Sequence, residues 1–294
     1  MSEYHTPVLL KESVSALSIK PSGLYVDATF GGGGHSRAIL EQLSDSGRLI
    51  AMDQDKDALA NAPDDKRLIP THSNFRFIRN WILFNGFEAA DGILADLGVS
   101  SHQFDTASRG FSFRFDSVLD MRMNAGSGKT AEDVINSYTE EALERIFREY
   151  GEINNSRLAA RLVCERRSQG AITTTEALNA ALERATPQFA QHKYLAKVYQ
   201  ALRIEVNDEM KALERFMPMA VKSLAQGGIL AVITYHSLED RIVKNALRDA
   251  ISQGIMEKVT AKPILPAEDE IAGNTRARSA KLRVSRKVAM KQHN

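Results

Sequence analysis

A single cysteine, Cys164, in 294 residues excludes an intramolecular disulfide framework and a multi-cysteine metal site, and no metal is expected. Net charge is nearly absent too: 38 Lys and Arg against 37 Asp and Glu leave +1, so the overall balance selects no class of partner. Nowhere is there the ~18-residue apolar run that a membrane span requires. Met1–Lys20 has Glu3 where a secretory leader carries basic residues, so the expectation is a cytoplasmic protein with no membrane partner. Internal repeats and low-complexity tracts are missing as well. What remains, 43% hydrophobic and 26% charged, suits a folded chain of roughly two domains at ~150 residues each.

The first hundred residues alternate between two periods. Short apolar runs at Leu24–Thr29, Arg48–Asp53, Arg67–Thr71 and Asp91–Leu97 read as strands. Helical spacing follows them at His35–Leu43, at Gln54–Ala62 and at Phe75–Phe84, where Phe77, Ile78, Trp81 and Ile82 are predicted to share one face. Strands alternating with helices specify right-handed βαβ units and a parallel sheet. Residues 98–128 read as loop, and from Thr130 to about Asn207 only helical signals occur, with Thr173 and Glu176 as a capping box. A helix over Asp208–Ala225 is predicted to kink at Pro218. The strand period resumes at Ile229–Tyr235, a helix spans Glu239–Ser252, and Leu282–Val288 is expected to close the sheet. The reading is an α/β doubly wound sheet, discontinuous over 1–104 and 208–294, with an all-helical insertion over 105–207.

Gly31–Gly34 lies between a strand and a helix at the carboxyl edge of that sheet, where glycine permits positive φ and close approach of a ligand to bare main chain. Asp53 ends the next strand, where a carboxylate accepts hydrogen bonds from both ribose hydroxyls of an adenosine moiety and repels a 2′-phosphate. Together the pair indicates a nucleoside cofactor without saying which. The dinucleotide fingerprint fails: begun at Gly31 it finds Ser36 in place of the last glycine, and begun at Gly32 it finds Arg37. A phosphate-binding loop ending in Gly128-Lys129-Thr130 fails at Met123, and Thr130 is read as a helix cap. S-adenosylmethionine fits better than NAD, because it carries no phosphate and its sulfonium is stabilised by carboxylates such as Asp27 and Asp96. The plainer readings are a tight turn for the glycines and a turn or N-cap aspartate for Asp96.

Several strings occur in order: His5-Thr-Pro-Val-Leu-Leu10, Asp27-Ala-Thr-Phe-Gly-Gly-Gly-Gly-His35, Asp96-Leu-Gly-Val-Ser-Ser101, Arg109-Gly-Phe-Ser-Phe113, Leu119-Asp-Met-Arg-Met123, Gln200-Ala-Leu-Arg-Ile-Glu-Val-Asn207, His236-Ser-Leu-Glu-Asp-Arg241 and Arg276-Ala-Arg-Ser279. From about His5 to Arg286 the chain resembles the bacterial ribosomal RNA small-subunit methyltransferase H (MraW) family. The resemblance implies a class I methyltransferase (Rossmann-like) sheet, S-adenosylmethionine as cofactor, and methylation of the N4 amine of one cytidine in the decoding region of 16S ribosomal RNA. It also implies cofactor contacts at Gly33, Gly34, His35, Asp53, Phe75, Asp96 and Gln103. The expected partner is the small ribosomal subunit, with the chain a monomer or homodimer.

Cytosine N4 is a poor nucleophile because its lone pair is delocalised, so an acceptor for its protons is needed. Asp96 is the first candidate, and His236, at the end of the Ile229–Tyr235 strand, is the second, able to orient the base or relay the proton. The plainer reading of His236-Ser-Leu-Glu-Asp makes Ser237 an N-cap. RNA binding at near-zero net charge requires segregated charge, and residues 274–294 hold Arg276, Arg278, Lys281, Arg283, Arg286, Lys287 and Lys291 with no acid. Arg276, Arg278 and Lys281 are the phosphate-binding candidates; the alternative is a solvated strand and tail. Phe111, Phe113 and Phe115 either stack on splayed bases or pack the insertion onto the sheet. Two other functions stay open on the residues alone: a nicotinamide-dependent oxidoreductase and a catalytically silent RNA-binding assembly factor.

Overall fold

The computed structural model describes residues 7–126 and 128–289; Met1, Glu3, His5, Thr6 and Lys291, named above, lie outside the described residues. By compactness the chain divides into a unit made of the residues up to Gly98 and from Met210 onward, and a second unit, Val99–Glu209. The first division falls before the predicted 104/105. Val99 packs against the core of the helical unit, and the predicted loop after it begins with a short helix, Ser101–Asp105, followed by a 3-10 turn at Ala107–Arg109.

The sheet unit carries β1 (Leu24–Asp27), β2 (Arg48–Asp53), β3 (Leu68–His72), β4 (Ala90–Asp96), β5 (Leu224–Thr234), β6 (Met256–Lys258) and β7 (Lys281–Lys287), in the spatial order β3-β2-β1-β4-β5-β7-β6. The first five are parallel, whereas β7 runs antiparallel to both β5 and β6. Successive side chains alternate between two apolar layers, as a sheet covered on both faces demands. Tyr25, Leu49, Ala51, Leu94 and Ile233 face the layer of Leu9, Val14, Ile39 and Leu40, from helices Leu10–Ala16 and Gly34–Leu40 and the turn before the first of them. Val26, Ile50, Met52, Ile93 and Val232 face Ile78, Ile82, Phe216, Val243 and Leu247, from helices Ile78–Phe84, Glu209–Ser223 and Ser237–Ser252. Each fully buried aliphatic side chain of this kind contributes ~1.5–3 kcal/mol.

Several local expectations are corrected. The helix after β2 covers only Lys56–Leu59, started by Asp55, whose carboxylate accepts from Asp57 N. Phe77 does not join Ile78 and Ile82 in the core: the chain makes a 3-10 turn over Phe75–Phe77 that leaves Phe77 exposed, whereas Trp81 packs, half-buried, against the same core. The helix that carries Pro218 runs Glu209–Ser223, and β5 begins at Leu224, earlier than its apolar run. β6 had no sequence signal at all, three residues being too few to show a period.

The helical unit packs Ala131–Ser137, Glu140–Glu149, Ser156–Arg167, Thr175–Ala181 and Gln191–Asn207 around Ile135, Leu143, Phe147, Val163, Val198 and Leu202. Thr130 caps the first of these in a box with Asp133. The later cap is Thr174, not Thr173: its hydroxyl accepts from Ala177 N, while the carbonyl of Thr173 accepts from Leu119 N. Phe111 is buried in this unit's own core, and Phe113 lies 5.4 Å from Tyr199, so both pack within the helical unit; Phe115 is exposed. Cys164 is a half-buried helix residue. Among the described residues no helix is long and apolar enough to cross a membrane.

Candidate functional site

Parallel strands deliver their carboxyl ends to one edge, and three neighbouring strands each end there in an aspartate: Asp27 on β1, Asp53 on β2 and Asp96 on β4. The turn after β1 is stitched to both neighbours, with Ala28 N donating to Leu94 O and Phe30 N to Met52 O, each at 2.8 Å. Its glycines then take left-handed conformations, φ +51° at Gly31 and +74° at Gly33. A Cβ at Gly33 would stand 2.6 Å from the Phe30 ring, and one at Gly34 only 2.2 Å from the Pro7 ring. Glycine at those two positions is therefore demanded by the protein's own packing as much as by any ligand.

Asp53 holds this turn from the side. Its Oδ2 accepts from Gly31 N at 2.8 Å and its Oδ1 from Asp55 N at 2.8 Å. A carboxylate has roughly four acceptor sites, so about half its capacity remains for a ligand. Phe75 is brought to the same edge: Ser73 N donates to Asp53 O, Asn74 Nδ2 donates to Gln54 Oε1 at 2.8 Å, and the Phe75 ring rests edge-on against Phe216 at 5.1 Å.

Asp27 is fully buried, accepting from Ser36 Oγ at 2.7 Å and from Thr29 N at 3.2 Å. Asp96, its side chain 22% exposed, accepts from the Tyr235 hydroxyl at 2.7 Å and lies 3.8 Å from His35 Nδ1. Among the described residues, no cation forms an ion pair with Asp27 or Asp53, and the only imidazole near Asp96 is that of His35. Burial raises Asp27 to about 6, against the bonds from Ser36 and Thr29. Burial likewise raises Asp53 to about 6, against the Asp55 and Gly31 amides and helped by the charge of Asp27. Asp96 is pushed highest, to about 7, by burial first and by the charges of Asp27 and Glu239, with the Tyr235 hydroxyl opposing. Burial lowers His35 to about 4, although a main-chain bond to Val8 works the other way, so this imidazole is neutral at pH 7 and gives Asp96 no counter-charge. His35 is buried, and its Nε2 has no partner in hydrogen-bonding geometry among the described residues.

Tyr235 was not singled out by the sequence reading, yet it is the residue that anchors Asp96. It follows β5 directly, its hydroxyl is driven well above its ordinary range by burial and by Asp96, and its amide donates to Glu239 Oε2 at 2.8 Å. The signal available was an aromatic hydroxyl at the carboxyl end of the apolar run Ile229–Thr234, which is buried throughout. His236 comes next and corrects the expected cap: His236, not Ser237, is the N-cap of helix Ser237–Ser252, in a capping box with the buried Glu239. Its Nδ1 accepts from Glu239 N at 3.4 Å, and its Nε2 lies 3.1 Å from Glu239 Oε1. A cavity of about 310 Å³ is lined by Thr234, Tyr235, His236, Ser237, Ser279 and Lys281, which places His236 and Lys281 on one hollow.

The basic segment separates into kinds. Arg283 makes a two-pronged ion pair with Asp240 at 2.7 and 3.1 Å, and Lys281 reaches the same carboxylate at 3.6 Å. Arg286 pairs with Glu257, and Lys287 donates to the carbonyls of Lys222 and Leu224. Arg276 is half-buried and Arg278 exposed, both in the 3-10 turn Thr275–Ser279. Gln103 belongs to the helical unit, where it is buried and closes the capping box of its own short helix with Ser100.

Chemically, the rim gathers three shielded acids, with acceptor sites of Asp53 still open, an arrangement that can attract a positive charge and accept hydroxyl donors. The family model and the curated relatives of this sequence agree with a methylase. The model of a family described as the MraW methylase family matches residues 2–288. A protein named Ribosomal RNA small subunit methyltransferase H from Flavobacterium johnsoniae is 49% identical over 297 residues, covering 97% of this chain and 98% of its own. One of the same name from Bacteroides fragilis is 50% identical over 299 residues, with 97% of each chain covered. Among solved structures, a SAM-dependent O-methyltransferase from Thermotoga maritima aligns with 99% of this chain and 70% of its own at a TM-score of 0.43 and 10% identity. On the match across nearly its whole length and on these relatives, the chain belongs to the MraW methylase family.

Proposed function

We propose that this protein transfers the methyl group of S-adenosylmethionine to 16S ribosomal RNA of the small subunit, at the N4 amine of a cytidine in the decoding region. The RNA class is supported by the names of relatives that match end to end. The observation that carries the cofactor is the rim of three raised carboxylates whose nearest imidazole is neutral. Bound there, the cofactor supplies an activated methyl on a positive sulfur that leaves as a neutral thioether.

Asp53 keeps acceptor sites for the two ribose hydroxyls while holding Gly31, and Phe75 offers an apolar edge next to it. Gly33 and Gly34 let the main chain turn tightly on the methionine side, and His35 Nε2, which has no hydrogen-bond partner among the described residues, follows them. Asp96 faces the reacting centre. Holding N4 in line behind the methyl group, ~3–3.5 Å away, is worth up to ~7–11 kcal/mol. Asp96, raised to about 7, then accepts the proton that N4 must lose as its bond to carbon forms. A base matched to neutral pH in this way adds ~10²–10⁴-fold. The Tyr235 hydroxyl fixes one oxygen of Asp96 and leaves the other for the amine. His236, set by Glu239 beside Tyr235, acts as a positioning residue rather than as the base. Arg276, Arg278 and Lys281 take RNA phosphates, with Lys281 drawn also toward Asp240.

Mass spectrometry of small-subunit RNA from cells with and without this protein tests the reading. N4-methylcytidine is expected to disappear with the protein; an unchanged level would remove the proposed function.

A further inference from the structure

Pro7, Val8 and Leu9 form a strap across the start of helix Gly34–Leu40, and a carboxylate 261 residues beyond Leu9 holds it there. The Pro7 ring occupies the space that a Cβ on Gly34 would need. The His35 imidazole bonds the main chain of Val8, and its Nδ1 lies 3.8 Å from Asp96. The Leu9 side chain is fully buried in the apolar layer with Ile39 and Leu40. The strap therefore meets two residues, Gly34 and His35, that the reading above sets against the cofactor.

What fixes the strap is not local. Leu9 has φ +52° and ψ +36°, a left-handed conformation that a leucine keeps only where its surroundings over-determine it. As N-cap of helix Leu10–Ala16 it offers no side-chain acceptor, and its carbonyl accepts from Ser13 N at 2.9 Å and Ser13 Oγ at 2.7 Å. Glu12 stands at the third helical position, from which a capping box would serve the Leu9 amide. That amide donates instead to Glu270 Oε1 at 2.7 Å, a charge-assisted bond and so among the stronger ones a main-chain amide can make. Glu270 is itself firmly placed. Its helix, Glu268–Gly273, belongs to an excursion that Ile264 and Leu282 close at the base with reciprocal main-chain bonds of 2.9 Å. Its carbonyl accepts from Asn274 N at 2.7 Å, and its neighbour Ile271 packs against the layer that buries Leu9.

We propose that Glu270 is a positioning residue for methyl transfer: through the Leu9 amide it holds the strap against Gly34 and His35 and so sets the cofactor turn. This rests on the S-adenosylmethionine reading above and adds to it a residue from outside the rim. The test is calorimetry of S-adenosylmethionine binding to wild type, Glu270→Ala, Glu270→Gln and Glu268→Ala. Steady-state methyl transfer to unmethylated small-subunit rRNA and denaturant unfolding are measured alongside. In Glu270→Ala the cofactor affinity is expected to fall about tenfold, as for the loss of one charge-assisted hydrogen bond, and the KM for cofactor to rise in step. The kcat at saturating cofactor is little changed, because bound cofactor restores the turn. Glu270→Gln, whose side-chain carbonyl still accepts from Leu9, restores the affinity, and Glu268→Ala, on an exposed position of the same helix, keeps it. Unaltered cofactor affinity in Glu270→Ala overturns the proposal. So does a loss that Glu270→Gln shares in full, or one that follows the unfolding midpoint across the variants, which would make Glu270 scaffold alone. Wild-type protein that binds no S-adenosylmethionine would remove the cofactor reading itself, and this role with it.

Discussion

Asp96 and Asp240 both lie just beyond or just inside the edge of the same sheet unit, both mostly shielded from water, and they have opposite fates. Burial works to raise Asp240, but the two-pronged bond from Arg283 and the charge of Lys281 outweigh it and hold the carboxyl below its usual range. At Asp96, burial meets no cation among the described residues: a tyrosine hydroxyl and a neutral imidazole are its neighbours, and it rises to about 7. A buried acid with an intramolecular cation is part of the scaffold, whereas a cluster of buried acids without one is arranged for a charge that arrives with a ligand. The same distinction sorts the basic residues, dividing the paired Arg283 and Arg286 from the exposed Arg278.

The sharpest way to break this comparison is to remove the charge of Asp96 alone. Asp96→Asn keeps an acceptor oxygen for Tyr235 but cannot take a proton, so single-turnover methyl transfer should fall about 10²–10⁴-fold while rRNA affinity is unchanged. A parallel fall in RNA affinity would place Asp96 in recognition instead. Asp53→Ala should act on the cofactor: losing one charged hydrogen bond to a ribose hydroxyl costs ~1.5–3 kcal/mol, or about 10–100-fold in S-adenosylmethionine affinity by calorimetry. Arg283→Ala should do neither. With side chains 20% and 15% exposed, breaking the Arg283–Asp240 pair is expected to cost ~1–3 kcal/mol in denaturant unfolding. Because Asp240 is held low when folded, that contribution is present above its unfolded pKa and lost as pH falls through the folded one. The variant should therefore lose less stability than wild type on acidification. The smallest effect belongs to Arg278→Ala, which should lower the salt slope of rRNA binding by about one and leave stability unchanged.

Much of this contrast was legible beforehand because it follows from local pattern and strand adjacency. Two consecutive parallel strands bring the turn after Asp27 beside Asp53, so glycines and acid meet without further information. The Tyr235–Asp96 bond spans 139 residues and depends on the register that sets Asp96 against Ile233, which no periodicity states. His236 was readable as a helix start, but capping preference favoured the serine beside it; the buried Glu239 decided in favour of the histidine. At Phe75–Phe84 helical spacing set Phe77, Ile78, Trp81 and Ile82 on one face, but it could not foresee the 3-10 turn over Phe75–Phe77 that leaves Phe77 exposed.

The central claim is that the rim is built for positive charge, and calorimetry of S-adenosylmethionine and its neutral thioether product from pH 5.5 to 8.5 tests it most directly. Deprotonating Asp53 near 6 and Asp96 near 7 strengthens attraction for a cation, while His35, lowered to about 4, stays neutral throughout the range. Sulfonium affinity should climb with pH through about 7, by up to about tenfold per unit for each proton released, and then level off, with the thioether nearly flat. Two parallel profiles would contradict it.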